Sequence, residues 1–224
     1  MRPIELVVFD MAGTTVRDDG VVERAFQRAA ERTGVADRMP WDEALAYVRR
    51  TMGMSKIDVF TYLSRGDVAA ATAATEAFEA AYAELVAEEG VEEIPGAGAL
   101  IRELRESGRT VALTTGFSPV TRDIILTALD WHDLIDFALS PADAGRGRPA
   151  PDLVLAAALR ARVSAVAAIA VAGDTTSDVQ SGLRAGAGLV VGVLTGAHDR
   201  AALEGAGAHR VIADATALPA LLDR

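Results

Sequence analysis

Cysteine is absent from this 224-residue chain. That single absence removes disulfides, thiolate catalysis and cysteine-based zinc sites. Lysine is nearly absent as well: 21 of the 22 basic residues are arginine, and Lys56 stands alone. Arginine stays protonated and cannot act as an amine nucleophile, so the one lysine marks a candidate for chemistry that arginine cannot do. Long apolar runs are missing too. The opening stretch MRPIELVVFDM holds an apolar run of only about six residues, with Glu5 inside it, far short of a signal-peptide core or a membrane span. Positive charge is in deficit, with 32 acidic residues setting the net charge at -10 and the arginines scattered along the chain. A surface of that kind repels a polyphosphate backbone. The expectation is a cytoplasmic protein with no nucleic-acid partner and no membrane partner.

The length suits one large domain, or a core carrying one insertion. Residues 4–9 (IELVVF) form a short β-rich apolar run that stops at Asp10 and the turn pair Ala12-Gly13, the pattern of a buried central strand. From residue 21 to about 90 the pattern turns helical, with segments at 22–33, 42–50, 56–63 and 68–89. Beyond Pro95-Gly96 a helix at 97–107 leads into apolar runs at 110–113, 137–139, 169–172 and 190–194. Helical stretches at 119–129, 152–162 and 177–185 separate them. Strand alternating with helix predicts an α/β fold with a doubly wound parallel sheet, its site beyond the carboxyl ends of the strands.

That rule selects four clusters: Asp10 to Thr15 after the first strand, Thr114-Thr115-Gly116 after the second, Gly147-Arg148-Pro149 ahead of a helix, and Gly173 to Asp178 after a later strand. A carboxylate can attack phosphorus, hydroxyls and backbone N–H groups can hold its oxygens, an arginine can neutralise them, and further carboxylates can hold Mg²⁺. Taken singly, Asp10 and Asp174 are equally good turn formers, Thr115 a helix-entry cap and Arg148 a solvated loop charge. Their order along the chain, each beside a strand end or helix entry, favours a common phosphoryl site.

The order D-x-x-G-T, a strand-end Thr, a basic residue before Pro, and G-D-x-x-x-D resembles the haloacid dehalogenase superfamily over nearly the whole chain. The resemblance implies an α/β core of residues 1–17 and 93–224 and a helical cap of residues 18–92. It implies Asp10 as nucleophile, Thr115, Gly116 and Arg148 as substrate-binding groups, and Asp10, the Ala12 carbonyl, Asp174 and Asp178 around Mg²⁺. Ala12 departs from the phosphatase pattern, which places there an aspartate that protonates the departing alkoxide. The segment Asp10-Met11-Ala12-Gly13-Thr14-Thr15 is similar to the phosphonatase branch, as are Met52-Gly53-Met54-Ser55-Lys56-Ile57-Asp58 and Gly147-Arg148-Pro149-Ala150-Pro151. Met52 joins the substrate-binding set by that match.

The chemistry is coherent in its own terms. Breaking a carbon–phosphorus bond by attack on phosphorus leaves a carbanion, which a nearby carboxylic acid does not help. An amine condensed with an aldehyde beta to phosphorus supplies an electron sink, so the missing acid at Ala12 and the single amine at Lys56 describe one mechanism. Three positions depart from the branch pattern: Val59 stands where a histidine is usual, Phe117 where a tyrosine is usual, and Met11 where an aromatic is usual. The partner expected is a small phosphonate or phosphate, with a homodimer left open. Rival readings are a phosphatase of small phosphate esters, a haloacid dehalogenase, and an interaction module resting on the acidic surface and the Ala-rich helix. A haloacid carboxylate would be repelled by the Asp174 and Asp178 pair, and the Ala-rich helix reads more simply as core plus a solvated face.

Overall fold

The computed structural model describes residues 3–222. Its strands are β1 (Leu6–Asp10), β2 (Thr110–Thr114), β3 (Phe137–Leu139), β4 (Ile169–Gly173), β5 (Leu189–Val193) and β6 (Arg210–Ile212). All neighbours pair in parallel, in the order β3-β2-β1-β4-β5-β6. Strands β1, β4 and β5 are buried at every residue. Covered on both faces, such strands need continuous apolar sequence, and LVVF, IAVA and LVV supply it.

Alternation along the strands divides the core. Val7, Phe9, Val111, Leu113, Ala170 and Ala172 join one cluster with Ile101 and Leu104 of α5 (Ala97–Glu106), Ile125 of α6 (Pro119–Ala128) and Leu222 of α11 (Pro219–Leu222). Leu6, Val8, Ala112, Ile169 and Val171 face the other way, against Leu153 of α8 (Asp152–Ala161), Val179 of α9 (Thr176–Ala185) and Leu203 of α10 (Arg200–Gly205). The strand order reverses at β1, which lies between β2 and β4. Register sets Asp10 opposite Thr114 and Phe9 opposite Ala172, so the carboxyl ends of β1, β2 and β4 share one edge at the switch point.

Between β1 and α5 the chain forms α1 (Val21–Thr33), α2 (Trp41–Arg50), α3 (Lys56–Leu63) and α4 (Val68–Glu89). Their interior is aromatic: Phe26 lies 4.9 Å from Phe60 and 4.8 Å from Phe78, centroid to centroid. The cluster continues into the loop after β2, where Phe117 lies 4.8 Å from Tyr82. The two chain crossings to this helical segment run side by side. The Arg17 amide donates to Glu92 O at 2.9 Å and the Ile94 amide to Thr15 O at 2.9 Å, with Val16 bridging Glu93 in antiparallel sense.

The expected helices at 56–63 and 68–89 and the strand at 137–139 coincide with the observed ones; most other boundaries move by a residue or two. Among the strands and α-helices of the described residues, β6, α10, α11 and the single turn α7 (Pro141–Ala144) were not anticipated. Each has six residues or fewer, too few to display a period. β6 is an edge strand whose Arg210 is exposed. No helix among the described residues is long and apolar enough to cross a membrane.

Candidate active site

The site grows from the tight turn after β1. The amides of Thr14, Thr15 and Val16 all donate to the Met11 carbonyl, at 3.2, 2.9 and 2.8 Å. Gly13 makes the turn possible: its φ is +88°, and a Cβ there would lie 2.6 Å from Asp174 Oδ2. Thr15 Oγ1 donates to the Asp10 carbonyl at 2.9 Å, and Thr14 Oγ1 to Asp174 Oδ1 at 3.0 Å. The threonines thus bind the Asp10 backbone to the turn and the turn to β4's end.

Three carboxylates converge there. Asp10, Asp174 and Asp178 are all buried and offer oxygens within 4.8 Å of one another. Arg148, also buried, contacts two of them: its Nη1 donates to Asp10 Oδ1 at 2.5 Å and to Asp178 Oδ1. Asp178 is fixed from the other side, because its Oδ2 accepts from the Thr175 amide at 3.0 Å and the Thr175 hydroxyl at 2.5 Å in a capping box at the start of α9. One arginine against three carboxylates leaves net negative charge in a dry place. Burial, and then the charge of Asp10, push Asp174 up to about 7. An all-oxygen donor set with surplus negative charge fits Mg²⁺, and the Ala12 residue lines the same cavity. Arg148 Nε has no hydrogen-bond partner among the described residues, a buried donor left for an anionic oxygen.

Lys56 opens α3 and enters the same chamber from the helical side. It is 5 % exposed, and its Nζ lies 4.9 Å from the ring centre of Phe117 and 5.5 Å from those of Phe26 and Phe78. Neither a hydrogen bond nor an ion pair joins it to the described residues. Burial first, and the Arg148 charge second, lower its pKa from 10.5 to about 8, while Asp18 and Asp10 pull upward.

The chamber measures about 30 Å³ and is lined also by Met52, Gly53, Thr115, Gly116, Asp18 and Thr175. Thr115 Oγ1 accepts from the Phe117 amide at 3.1 Å, which leaves its hydroxyl hydrogen to donate elsewhere. Glycines let the helical segment settle directly on the core. A Cβ on Gly116 would lie 2.4 Å from the Met54 carbonyl, one on Gly147 2.7 Å from Ser55 Cβ, and one on Gly53 2.6 Å from Thr175 Oγ1. A volume of this size holds about two waters.

All nine residues singled out from the sequence lie at this chamber or, for Asp178, in the carboxylate cluster beside it. Sequence reasoning missed Phe26 and Phe78, which approach Lys56 from 30 residues before and 22 after. It also missed Thr175, legible as the first residue of a T-x-x-D capping pattern, and Asp18, for which no local pattern exists. The histidines lie elsewhere. His198 Nδ1 accepts from the Thr176 amide at 2.9 Å and His209 Nδ1 from the Val190 amide at 3.1 Å, both structural contacts.

Comparison with known proteins bears on this arrangement. The sequence pattern of haloacid dehalogenase-like hydrolases matches residues 4–186. A phosphonoacetaldehyde hydrolase from Bordetella avium is 34% identical over 201 residues, covering 82% of this chain and 69% of its own. One from Bacillus cereus is 31% identical, with 88% and 78% covered. Among solved structures, a hydrolase from Pseudomonas syringae superposes with a TM-score of 0.84 at 29% identity, covering 98% of both chains. A phosphonoacetaldehyde hydrolase-like protein from Oleispira antarctica gives 0.81 at 25% identity, covering 98% of this chain and 91% of its own. The chain belongs to the haloacid dehalogenase-like hydrolases, in the branch that resembles phosphonoacetaldehyde hydrolase.

Proposed function

We propose that this hydrolase cleaves the carbon–phosphorus bond of a small aldehyde phosphonate, phosphonoacetaldehyde or a relative. Lys56 serves as the imine-forming amine and Asp10 as the nucleophile. One observation carries the reading: the chain's single lysine is buried among aromatic rings in the same cavity as Asp10, with Ala12 at the position of an acid. The names of the relatives support it.

The unprotonated Lys56 amine adds to the aldehyde carbon, and uptake of one proton with loss of water gives an iminium. Asp10 then attacks phosphorus, and the bonding electrons of the C–P bond pass into an enamine instead of a free carbanion. No proton need reach the leaving carbon at that moment, so Ala12 in place of a carboxylic acid costs nothing. Water hydrolyses the aspartyl phosphate and, after protonation of the enamine carbon, the remaining imine. Arg148 neutralises phosphoryl oxygens through its unpartnered Nε while holding Asp10 in place, and the Thr115 hydroxyl and the amides around Gly116 orient the same group. Mg²⁺ held by Asp10, the Ala12 carbonyl, Asp174 and Asp178 would offset the repulsion between carboxylate and phosphonate.

Residues 18–92 act as a cap on a core of residues 1–17 and 93–224, opening to admit substrate and closing to bring Lys56 to Asp10. The hinges are the paired crossings near residues 17–20 and 92–95, where Asp19 and Gly20 both have positive φ. Met52 travels with the cap and covers the substrate.

The test is phosphate release from phosphonoacetaldehyde and from a panel of phosphate monoesters, each with Mg²⁺ and with chelator. Release from the phosphonate with an equal yield of acetaldehyde, dependent on Mg²⁺ and lost in Asp10→Asn, is the expected result. Turnover confined to esters would replace this reading with a phosphatase.

A further inference from the structure

Imine formation moves protons, and the chamber contains few groups that could carry them. Its ionisable residues are Asp10, Asp18, Lys56, Arg148 and Asp174. Asp10 is held by Arg148, and Asp174 accepts from Thr14 and from the Ala197 amide at 2.8 Å. Arg148 does not titrate in the working range. No histidine lines the cavity. Asp18 remains, at the hinge side of the chamber. Its Oδ1 accepts from the Val22 amide at 2.9 Å, and its other oxygen takes no hydrogen bond from the described residues. We infer that Asp18 is the proton relay for Lys56, passing protons between the lysine nitrogen and the aldehyde oxygen through a water molecule in the closed chamber.

The placement supports this role. Asp18 and Lys56 feel each other's charge, yet no ion pair joins them, and the chamber between has room for water. Burial raises the Asp18 pKa, the Val22 hydrogen bond and the charges of Lys56 and Arg24 lower it, and Asp19 raises it again. Tyr82 of α4 lies within reach of the same charge, and Asp10, Arg148 and Asp174 face it across the cavity. The net direction is upward, with burial the largest cause, so the chamber favours the protonated carboxyl more than water does.

The step balances. The Lys56 ammonium gives one proton to Asp18, and the freed lone pair bonds to the aldehyde carbon while the carbonyl π electrons move to oxygen. Asp18 returns its proton to that oxygen. It then takes a second proton from nitrogen and delivers it to the hydroxyl, which leaves as water while the nitrogen lone pair closes the C=N bond. Two protons of the ammonium depart with the oxygen, and Asp18 ends as it began. Because Asp18 sits at the hinge, the relay is complete only when the cap is closed.

This inference rests on the imine reading, and the experiment separates the two. Wild-type protein, Asp18→Asn and Asp18→Ala are mixed with phosphonoacetaldehyde, quenched into borohydride at intervals between pH 6 and pH 9, and the reduced adduct on Lys56 is followed by mass spectrometry. Asn keeps an oxygen for the Val22 amide but cannot relay protons. Asp18→Asn is expected to keep the wild-type urea midpoint, form adduct about 10²-fold more slowly, and show a changed pH profile of adduct formation. Adduct formation in Asp18→Asn within about twofold of wild type, with an unchanged pH profile, would overturn the relay. So would slow formation in Asp18→Ala alone, which assigns Asp18 only to capping α1. If wild-type protein forms no adduct at all while releasing phosphate, the imine reading falls first and the relay with it.

Discussion

A lysine in water holds its proton to about pH 10.4, and the cage of Phe26, Phe78 and Phe117 around Lys56 changes that balance by excluding water. With a pKa of about 8, a useful share of free amine exists near neutrality. Trapping of an aldehyde at low concentration should therefore quicken as pH rises and level off above about 8. The same burial has a cost in stability. Between pH 8 and 10.5 the unfolded chain still binds the Lys56 proton while the folded chain has released it, so stability rises with pH through that window. Lys56→Met should then raise stability at pH 7 by about 2 kcal/mol, measured by urea unfolding, while abolishing C–P cleavage. Gly116 exerts a different kind of control. Gly116→Ala would drive a methyl group into the Met54 carbonyl and hold the helical segment away from the core. Its kcat is expected to fall about 10²-fold with little change in fold, read by steady-state kinetics beside circular dichroism.

Among the elements, those buried on both faces or strongly amphipathic were legible from sequence, because their apolar spacing is imposed by what covers them. β1, β2, β4 and β5 could be placed for that reason, and the strand-end rule then located Asp10, Thr115 and Asp174. The ring cage was not legible. Phe26 and Phe78 look in sequence like ordinary core positions of α1 and α4, and nothing local says that both also face the Lys56 amine. The same helices are joined at the surface by Arg24–Glu89, Arg28–Glu88 and Arg32–Glu84. Exposed pairs contribute little, whereas Phe78 is fully buried. Phe78→Ala should cost about 3–5 kcal/mol and Arg28→Ala under about 1 kcal/mol in urea unfolding. Equal losses would mean that the surface ladder, not the aromatic interior, holds the bundle together.

Across the whole molecule, two arrangements depend on parts distant in sequence. The carboxylate cluster draws Asp10 and Asp174 from two strand ends and Asp178 from the first turn of α9, and its unbalanced charge would make cation binding a stabilising event. Magnesium at 100 times its Kd should add about 2.7 kcal/mol to unfolding free energy. Asp174→Asn should lose that increment while the metal-free protein gains stability, a pair of outcomes readable by thermal unfolding with and without chelator. The closed chamber is the other arrangement. Sequence could assign Lys56 to a helical insertion, but only the folded chain brings it to the cavity of Asp10. The most direct measurement is borohydride reduction during turnover of phosphonoacetaldehyde, followed by peptide mass spectrometry. A single covalent adduct on Lys56 is expected, with Lys56→Arg giving neither adduct nor C–P cleavage. Sustained acetaldehyde and phosphate release by Lys56→Arg, or by wild-type protein that yields no adduct, would contradict it.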